Sequence, residues 1–148
     1  MPMNQNRNFR VLLVEDEAAD AHLIKMAFKE SRILIDLQHV EDGIEALAYL
    51  ANEAPYQQAQ RPDLILLDLN MPRMDGKAFL QAQKENDHWR MIPTVVLTTS
   101  EAESDIMASY NLGAAGYVVK PLDVMDFIKK VQNLEEYWIS LVKLPSFY

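Results

Sequence analysis

The apolar residues of this chain cluster in five short stretches that alternate with segments of helical periodicity. Most of these stretches lack the polar alternation of a half-exposed strand, which predicts strands that are buried on both faces. The predicted strands are Phe9–Val14, Ile33–Val40, Leu64–Leu67, Thr94–Leu97 and Gly116–Val119.

Between these runs the apolar spacing changes to three and four residues, which is typical of amphipathic helices. Asp42 and Glu45 have the spacing of a capping box and predict a helix start, whereas Gly113 predicts a helix end. The predicted helices are Ala18–Glu30, Asp42–Leu50, Gly76 to about Glu85, Ser104–Leu112 and about Asp123–Leu141.

Buried strands that alternate with helices predict a parallel sheet covered by helices on both faces. The expected architecture is an α/β doubly wound (βα)5 flavodoxin-like sandwich with a five-stranded parallel sheet. We expect residues 1–148 to form a single domain with a core of about 9–134. A C-terminal helical extension and tail would then cover about 135–148.

Composition restricts the possible binding partners more than it restricts the possible functions. The chain has 148 residues and a formal net charge of −8, which argues against nucleic-acid binding because such binding depends on Lys and Arg neutralising phosphates. It has no cysteine, no signal-peptide pattern and no apolar run of membrane-spanning length. We therefore expect a cytoplasmic protein with no membrane association.

Polar residues stand at the ends of four predicted strands, and they are the candidate chemistry. Parallel strands end at one edge of a sheet, and ligands of open α/β sheets bind outside that edge. Each residue alone has a structural explanation, such as a helix cap or a turn, but their convergence does not. The residues are Glu15 and Asp16, Asp68, Thr98, and Lys120.

Three neighbouring carboxylates repel one another unless a cation lies between them. A hard divalent ion suits oxygen ligands. Because the site offers few protein ligands, Mg²⁺ is a better fit than Ca²⁺, since Mg²⁺ retains several waters. Asp68 could then act as a nucleophile that forms an acyl phosphate. Lys120 and the metal would offset charge on the transferred phosphoryl group, and Thr98 would hydrogen-bond one of its oxygens.

In order, strand placement and spacing, this set resembles the receiver domain of two-component response regulators, from Arg10 to about Leu134. The resemblance implies that Asp68 accepts a phosphoryl group from a histidine kinase in a reaction that needs Mg²⁺, with Mn²⁺ as a substitute. It implies direct metal binding by Asp16, binding through water by Glu15, and a further ligand in the backbone carbonyl of Asn70.

The same resemblance implies roles for the residues that follow the fourth strand and lie in or after the fifth. Thr98 would be the switch hydroxyl, and Lys120 would contact the phosphate, in a position that often precedes a cis proline in the family. Tyr117 matches the aromatic switch position, although a half-buried strand tyrosine explains it equally well. Glu15 stands where many members carry aspartate, which preserves the charge.

The last predicted helix carries an apolar stripe that could pack on the sheet or face a partner. Because the helix is longer than a five-stranded sheet requires, we expect a homodimer through it, with an aromatic tail as a docking extension. This extension is similar to that of stand-alone regulators of bacterial and cyanobacterial phytochrome kinases, which would make a phytochrome the partner kinase. The stripe begins at Val124, and the expected dimer face comprises its other members, Phe127, Val131, Leu134, Trp138 and Leu141.

Two other functions remain open from the sequence. One is a receiver-like binding module that joins partners independently of phosphate. The other is a Mg²⁺-dependent phosphohydrolase with an aspartyl nucleophile. The second is disfavoured because such enzymes place a general-acid aspartate two residues past the nucleophile, where this chain has Asn70.

Overall fold

The computed structural model describes residues 8–31 and 33–141, and it contains one five-stranded parallel sheet. The strand order is β2-β1-β3-β4-β5, so the chain reverses its winding direction between β1 and β3. The predicted sheet architecture is confirmed. The strands are β1 Phe9–Val14, β2 Ile35–Val40, β3 Leu64–Leu67, β4 Thr94–Thr98 and β5 Gly116–Val119.

Five α-helices alternate with these strands, and the predicted helices are confirmed to within a residue or two at most ends. A 3-10 turn at Trp89–Met91 precedes β4 and was not predicted. None of the described helices is both long and apolar enough to cross a membrane. The helices are α1 Ala18–Lys29, α2 Gly43–Leu50, α3 Gly76–Lys84, α4 Glu103–Asn111 and α5 Val124–Glu135.

The sheet separates two apolar cores, because successive strand side chains point to opposite faces. On one face α1 and α5 pack over Val11, Leu13 and their neighbours on β3 and β4. On the other face α2 and α3 pack over Leu12, Val14 and the alternate residues of the same strands. Both faces of β1, β3 and β4 are therefore dry, which explains their unbroken apolar sequences.

Local sequence signals set the helix ends. The Asp42 carboxylate accepts a hydrogen bond from the backbone N–H of Glu45 at 2.9 Å, so the predicted cap is confirmed. Asp75 and Asp123 cap α3 and α5 in the same way. Gly113, with a φ of 98°, follows α4 in the left-handed conformation that a glycine adopts without strain.

The last helix differs from the prediction of one continuous α-helix to Leu141. The α-helical part ends at Glu135, and residues Glu136–Leu141 continue as a π-helix. A π-helix has a wider turn, so the three-to-four-residue stripe loses its phase beyond Glu135. The side chain of Leu141 and the tail after it lie outside the described residues.

The proposed dimer face needs a correction, since three residues of the stripe are buried inside the chain. Phe127, Val131 and Leu134 belong to the core beneath α1 and α5, where they pack on the sheet. Trp138 is half-buried and packs against the same core, and the ring of Tyr137 meets it edge-on. The stripe is explained by burial against the sheet.

Candidate functional site

The strand register brings the predicted site residues together at the carboxyl edge of the sheet. Val14 lies opposite Leu67 in the β1–β3 pair, so Glu15 and Asp68 each stand one residue beyond a paired position. Thr98 and Val119 are paired in the same way between β4 and β5, which places Lys120 directly after Thr98's partner. Residues that are far apart in the chain thus become spatial neighbours.

Three carboxylates converge at this edge. One carboxylate oxygen each from Glu15, Asp16 and Asp68 lies within 4.8 Å of the other two. Glu15 and Asp68 are buried, and Asp16 is half-buried. The arrangement predicted for a divalent cation is therefore present in the geometry of the chain.

A test of whether these residues fit a cation comes from the hydrogen bonds that they lack. Among the described residues, Asp16 Oδ1 is the buried side-chain oxygen that has no hydrogen-bond partner. A buried carboxylate oxygen without a donor is costly, and a bound cation would satisfy it. An all-oxygen donor set suits a hard ion such as Mg²⁺ or Mn²⁺, so the residues fit the metal that the fold implies.

Lys120 is the cation that the chain itself supplies to the site. Its side chain is 3% exposed, and its Nζ donates to Glu15 Oε1 at 2.6 Å and to Asp20 Oδ2 at 2.8 Å. The distance from Nζ to Asp68 Oδ2 is 4.0 Å, which is too long for a hydrogen bond. Lys120 is thus held by two flanking carboxylates rather than by Asp68.

The protonation equilibria reflect this crowding. Burial, followed by repulsion from Asp68, raises the pKa of Glu15 to about 7 despite the stabilising contact with Lys120. Burial also raises the pKa of Asp68, although Lys120 and the hydroxyl of Thr98 oppose the change. Burial alone would lower the pKa of Lys120, but its bonds to Asp20 and Glu15 outweigh burial and raise it.

Thr98 and Tyr117 line the β4 and β5 side of the site. Thr98 is fully buried, and its backbone carbonyl accepts a hydrogen bond from the N–H of Lys120 at 2.7 Å. The hydroxyl of Tyr117 donates to the carbonyl of Ser100 at 3.0 Å, which ties the tyrosine to the loop after β4. Tyr117 itself is half-buried against the core on the α2 and α3 face.

Two residues fix the position of the loop that connects Asp68 to α3. A Cβ at Gly76 would lie 2.5 Å from the Asp68 carbonyl oxygen, so only glycine lets α3 begin this close to β3. Arg73, whose φ is 61°, donates to Asp42 at 2.6 Å and anchors the loop to the start of α2. Asn70 lies in this loop with an exposed side chain, and the metal-binding role of its carbonyl stays a prediction.

Two residues near the site were missed by sequence reasoning. Asp20 bonds Lys120, and its place in the first turn of the helix that follows Asp16 could have indicated it. The other is His39, whose Nε2 donates to the Glu15 carbonyl at 2.7 Å. No sequence signal identifies that contact, because it depends on the β1–β2 register.

The peptide bond between Lys120 and Pro121 differs from the expectation of a cis proline. Within the part of the chain that is described, the cis peptide joins Ala54 and Pro55, in the polar loop before β3. The lysine is therefore positioned by its ion pairs and by the β4–β5 pairing without a cis bond at this point.

A parallel sheet in this strand order, with an acidic cluster and a lysine at its carboxyl edge, is the arrangement from which the protein family can be assigned. The chain belongs to the response regulator receiver domain family, whose sequence profile matches residues 11–132. The resemblance inferred from the sequence is confirmed.

Individual relatives are similar over nearly the whole chain. The response regulator Rcp1 from Synechocystis sp. (strain ATCC 27184 / PCC 6803 / Kazusa) is 43% identical over 136 residues, which are 92% of each chain. The crystal structure of the phosphorylated cyanobacterial phytochrome response regulator RcpA is 42% identical, with a TM-score of 0.91 over 94% of this chain and 99% of RcpA. The Mn²⁺-bound form of Rcp1 gives a TM-score of 0.89 at 42% identity, over 93% and 99% of the two chains.

Proposed function

We propose that Asp68 accepts a phosphoryl group in a Mg²⁺-dependent reaction, and that phosphorylation changes the interaction surface of this response regulator. The observation that carries the proposal is the convergence of the Glu15, Asp16 and Asp68 carboxylates within 4.8 Å, with Lys120 beside them. A purely structural cluster of three acids at this edge would leave Asp16 Oδ1 without a partner.

In the proposed reaction, a carboxylate oxygen of Asp68 forms a bond to phosphorus while the bond between phosphorus and the donor breaks. With a phosphohistidine donor, the histidine nitrogen leaves with the bonding electron pair and takes up a proton. With acetyl phosphate, acetate leaves. The chain only needs to position these groups and offset their charge. It would therefore catalyse its own phosphorylation rather than the conversion of a metabolite.

Each residue at the edge has a part in this proposal. Asp16, Glu15 and Asp68, with the Asn70 carbonyl, would hold Mg²⁺ or Mn²⁺, which when bound neutralises charge on the carboxylates and the phosphoryl oxygens. Lys120 would contact one phosphoryl oxygen and the buried Thr98 hydroxyl another. Tyr117 would respond to the change caused by phosphorylation, because its hydroxyl is hydrogen-bonded to the loop that follows Thr98.

A sensor histidine kinase is the proposed phosphoryl donor. Support comes from the similarity to RcpA, a cyanobacterial phytochrome response regulator, at 42% identity over nearly all of this chain. A phytochrome kinase in the cytoplasm is therefore the partner that we propose. A homodimer stays a prediction, and its contacts would have to come from exposed residues of the last helical region, such as Tyr137.

The experiment is intact-mass measurement after incubation with acetyl phosphate, with and without Mg²⁺. Wild type should gain one phosphoryl group only when Mg²⁺ is present, and Asp68→Asn should gain none. Asp87→Asn, which changes a highly exposed aspartate, is the matched control and should behave as wild type. A folded wild-type protein that gains no mass would refute the proposal and favour a phosphate-independent binding module.

A further inference from the structure

The ammonium group of Lys120 is shared between two carboxylates, one of which lies outside the acidic cluster. Glu15 belongs to the cluster, whereas Asp20 is on α1 and its side chain is 27% exposed. Because the Lys120 side chain is 3% exposed, water cannot replace either partner easily. The position of the lysine between Asp20 and Asp68 is thus decided by protein groups.

Helix capping does not account for Asp20. The residue before α1 is Glu17, which makes no side-chain cap, and the Glu17 N–H is bonded instead to Glu15 Oε2 at 3.1 Å. An acidic residue in a first turn also interacts favourably with the helix dipole, but that requires no specific partner. Asp20 instead directs Oδ2 to Lys120 at 2.8 Å, across 100 residues of sequence.

We propose that Asp20 restrains Lys120 away from Asp68 in the unphosphorylated protein and so regulates how fast the lysine engages an incoming phosphoryl group. The inference rests on the proposed function, because it assigns a regulatory role at the same site. Asp20 acts through Lys120 and is therefore a positioning residue.

Two effects of opposite sign follow from the geometry. Lysine has three N–H donors, and without the Asp20 carboxylate they are shared between Glu15 and the group at Asp68. Phosphoryl transfer should become faster, since Lys120 no longer has to leave Asp20. Mg²⁺ binding should become weaker, because the lysine charge is less neutralised and lies closer to the three carboxylates.

The test compares Asp20→Asn with Asp126→Asn. Asp126 is exposed, carries the same charge and is the third residue of α5, as Asp20 is of α1. A partly exposed ion pair changes an equilibrium or a rate by a few-fold. In Asp20→Asn we expect phosphorylation by acetyl phosphate at saturating Mg²⁺ to be about threefold faster, and the calorimetric Kd for Mg²⁺ about threefold higher.

Asp126→Asn should leave both quantities unchanged, and Asp20→Glu should restore them in part, since it returns the carboxylate. Equal values in Asp20→Asn and Asp126→Asn would overturn the inference, as would a fall in both rate and affinity. If wild type gains no phosphoryl group, the proposed function fails. The Mg²⁺ affinities then decide the restraint on their own: weaker binding only in Asp20→Asn supports it, and equal binding overturns it.

Discussion

The crowding of carboxylates predicts that the metal-free protein loses stability as the pH rises towards neutrality. Glu15 has an ordinary pKa of 4.5, which burial and the neighbouring Asp68 raise to about 7 in the folded chain. Between these two values the folded protein holds a proton that the unfolded chain has released. The contribution of Glu15 to the free energy of unfolding therefore falls with pH across the interval and is fully present only below 4.5.

The magnitude follows from the size of that interval. Each unit of pKa difference corresponds to about 1.4 kcal/mol, so full ionisation of Glu15 costs the folded state about 3 kcal/mol. Asp68 is shifted in the same direction and adds to the loss. Bound Mg²⁺ should remove most of the dependence, because the carboxylates are then ionised with a cation between them.

The assay is urea unfolding, followed by circular dichroism, at pH 5, 6, 7 and 8 with EDTA or with Mg²⁺. In EDTA the free energy of unfolding should fall over this range, and Glu15→Gln should flatten the slope. Glu53→Gln, at an exposed glutamate, controls for the loss of one negative charge. A metal-free wild type whose stability is constant or rises from pH 5 to 7 would refute the reasoning.

Two further pairs of substitutions test how the site is supported. Gly76→Ala should destabilise the fold by about 1–3 kcal/mol, because the new methyl meets the Asp68 carbonyl, whereas Gly116→Ala meets its neighbours at ordinary contact distance and should have little effect. Thermal unfolding decides this, and equal stabilities would contradict the proposed steric contact. Asp42→Ala should cost about 2 kcal/mol or more, since it removes a buried cap and the Arg73 contact together, against about 1 kcal/mol for the exposed cap Asp75→Ala. Chemical unfolding of both variants measures the difference, and a larger loss for Asp75→Ala would show that burial of the cap is unimportant.

The fold could be predicted from the sequence because the three central strands β1, β3 and β4 are buried on both faces and are almost entirely apolar. The site could be predicted in outline because parallel strands end at one edge. Asp20 was missed because its function is set by the direction of one side chain towards Lys120. The end of α5 at Glu135 was also missed, since α- and π-helical turns of similar composition look alike in sequence.

The apolar stripe of the last helix shows where pattern reasoning is ambiguous. A spacing of three and four residues predicts that a helix buries one face, but it does not show whether that face packs on the same chain or on a second one. Phe127 and Val131 are buried on the sheet of the same chain, so the predicted dimer face does not exist at these residues. The spacing of these apolar residues would have been the same if a second chain had covered them.

The contact between Lys120 and Glu15 has a consequence for the folding of this chain. It joins residues 105 positions apart, and the intervening chain forms most of the sheet. Loop closure over such a distance is favourable only when the strands between are already paired. Partly folded chains therefore lack the assembled edge and could not accept a phosphoryl group, so signalling would be confined to molecules that have completed folding.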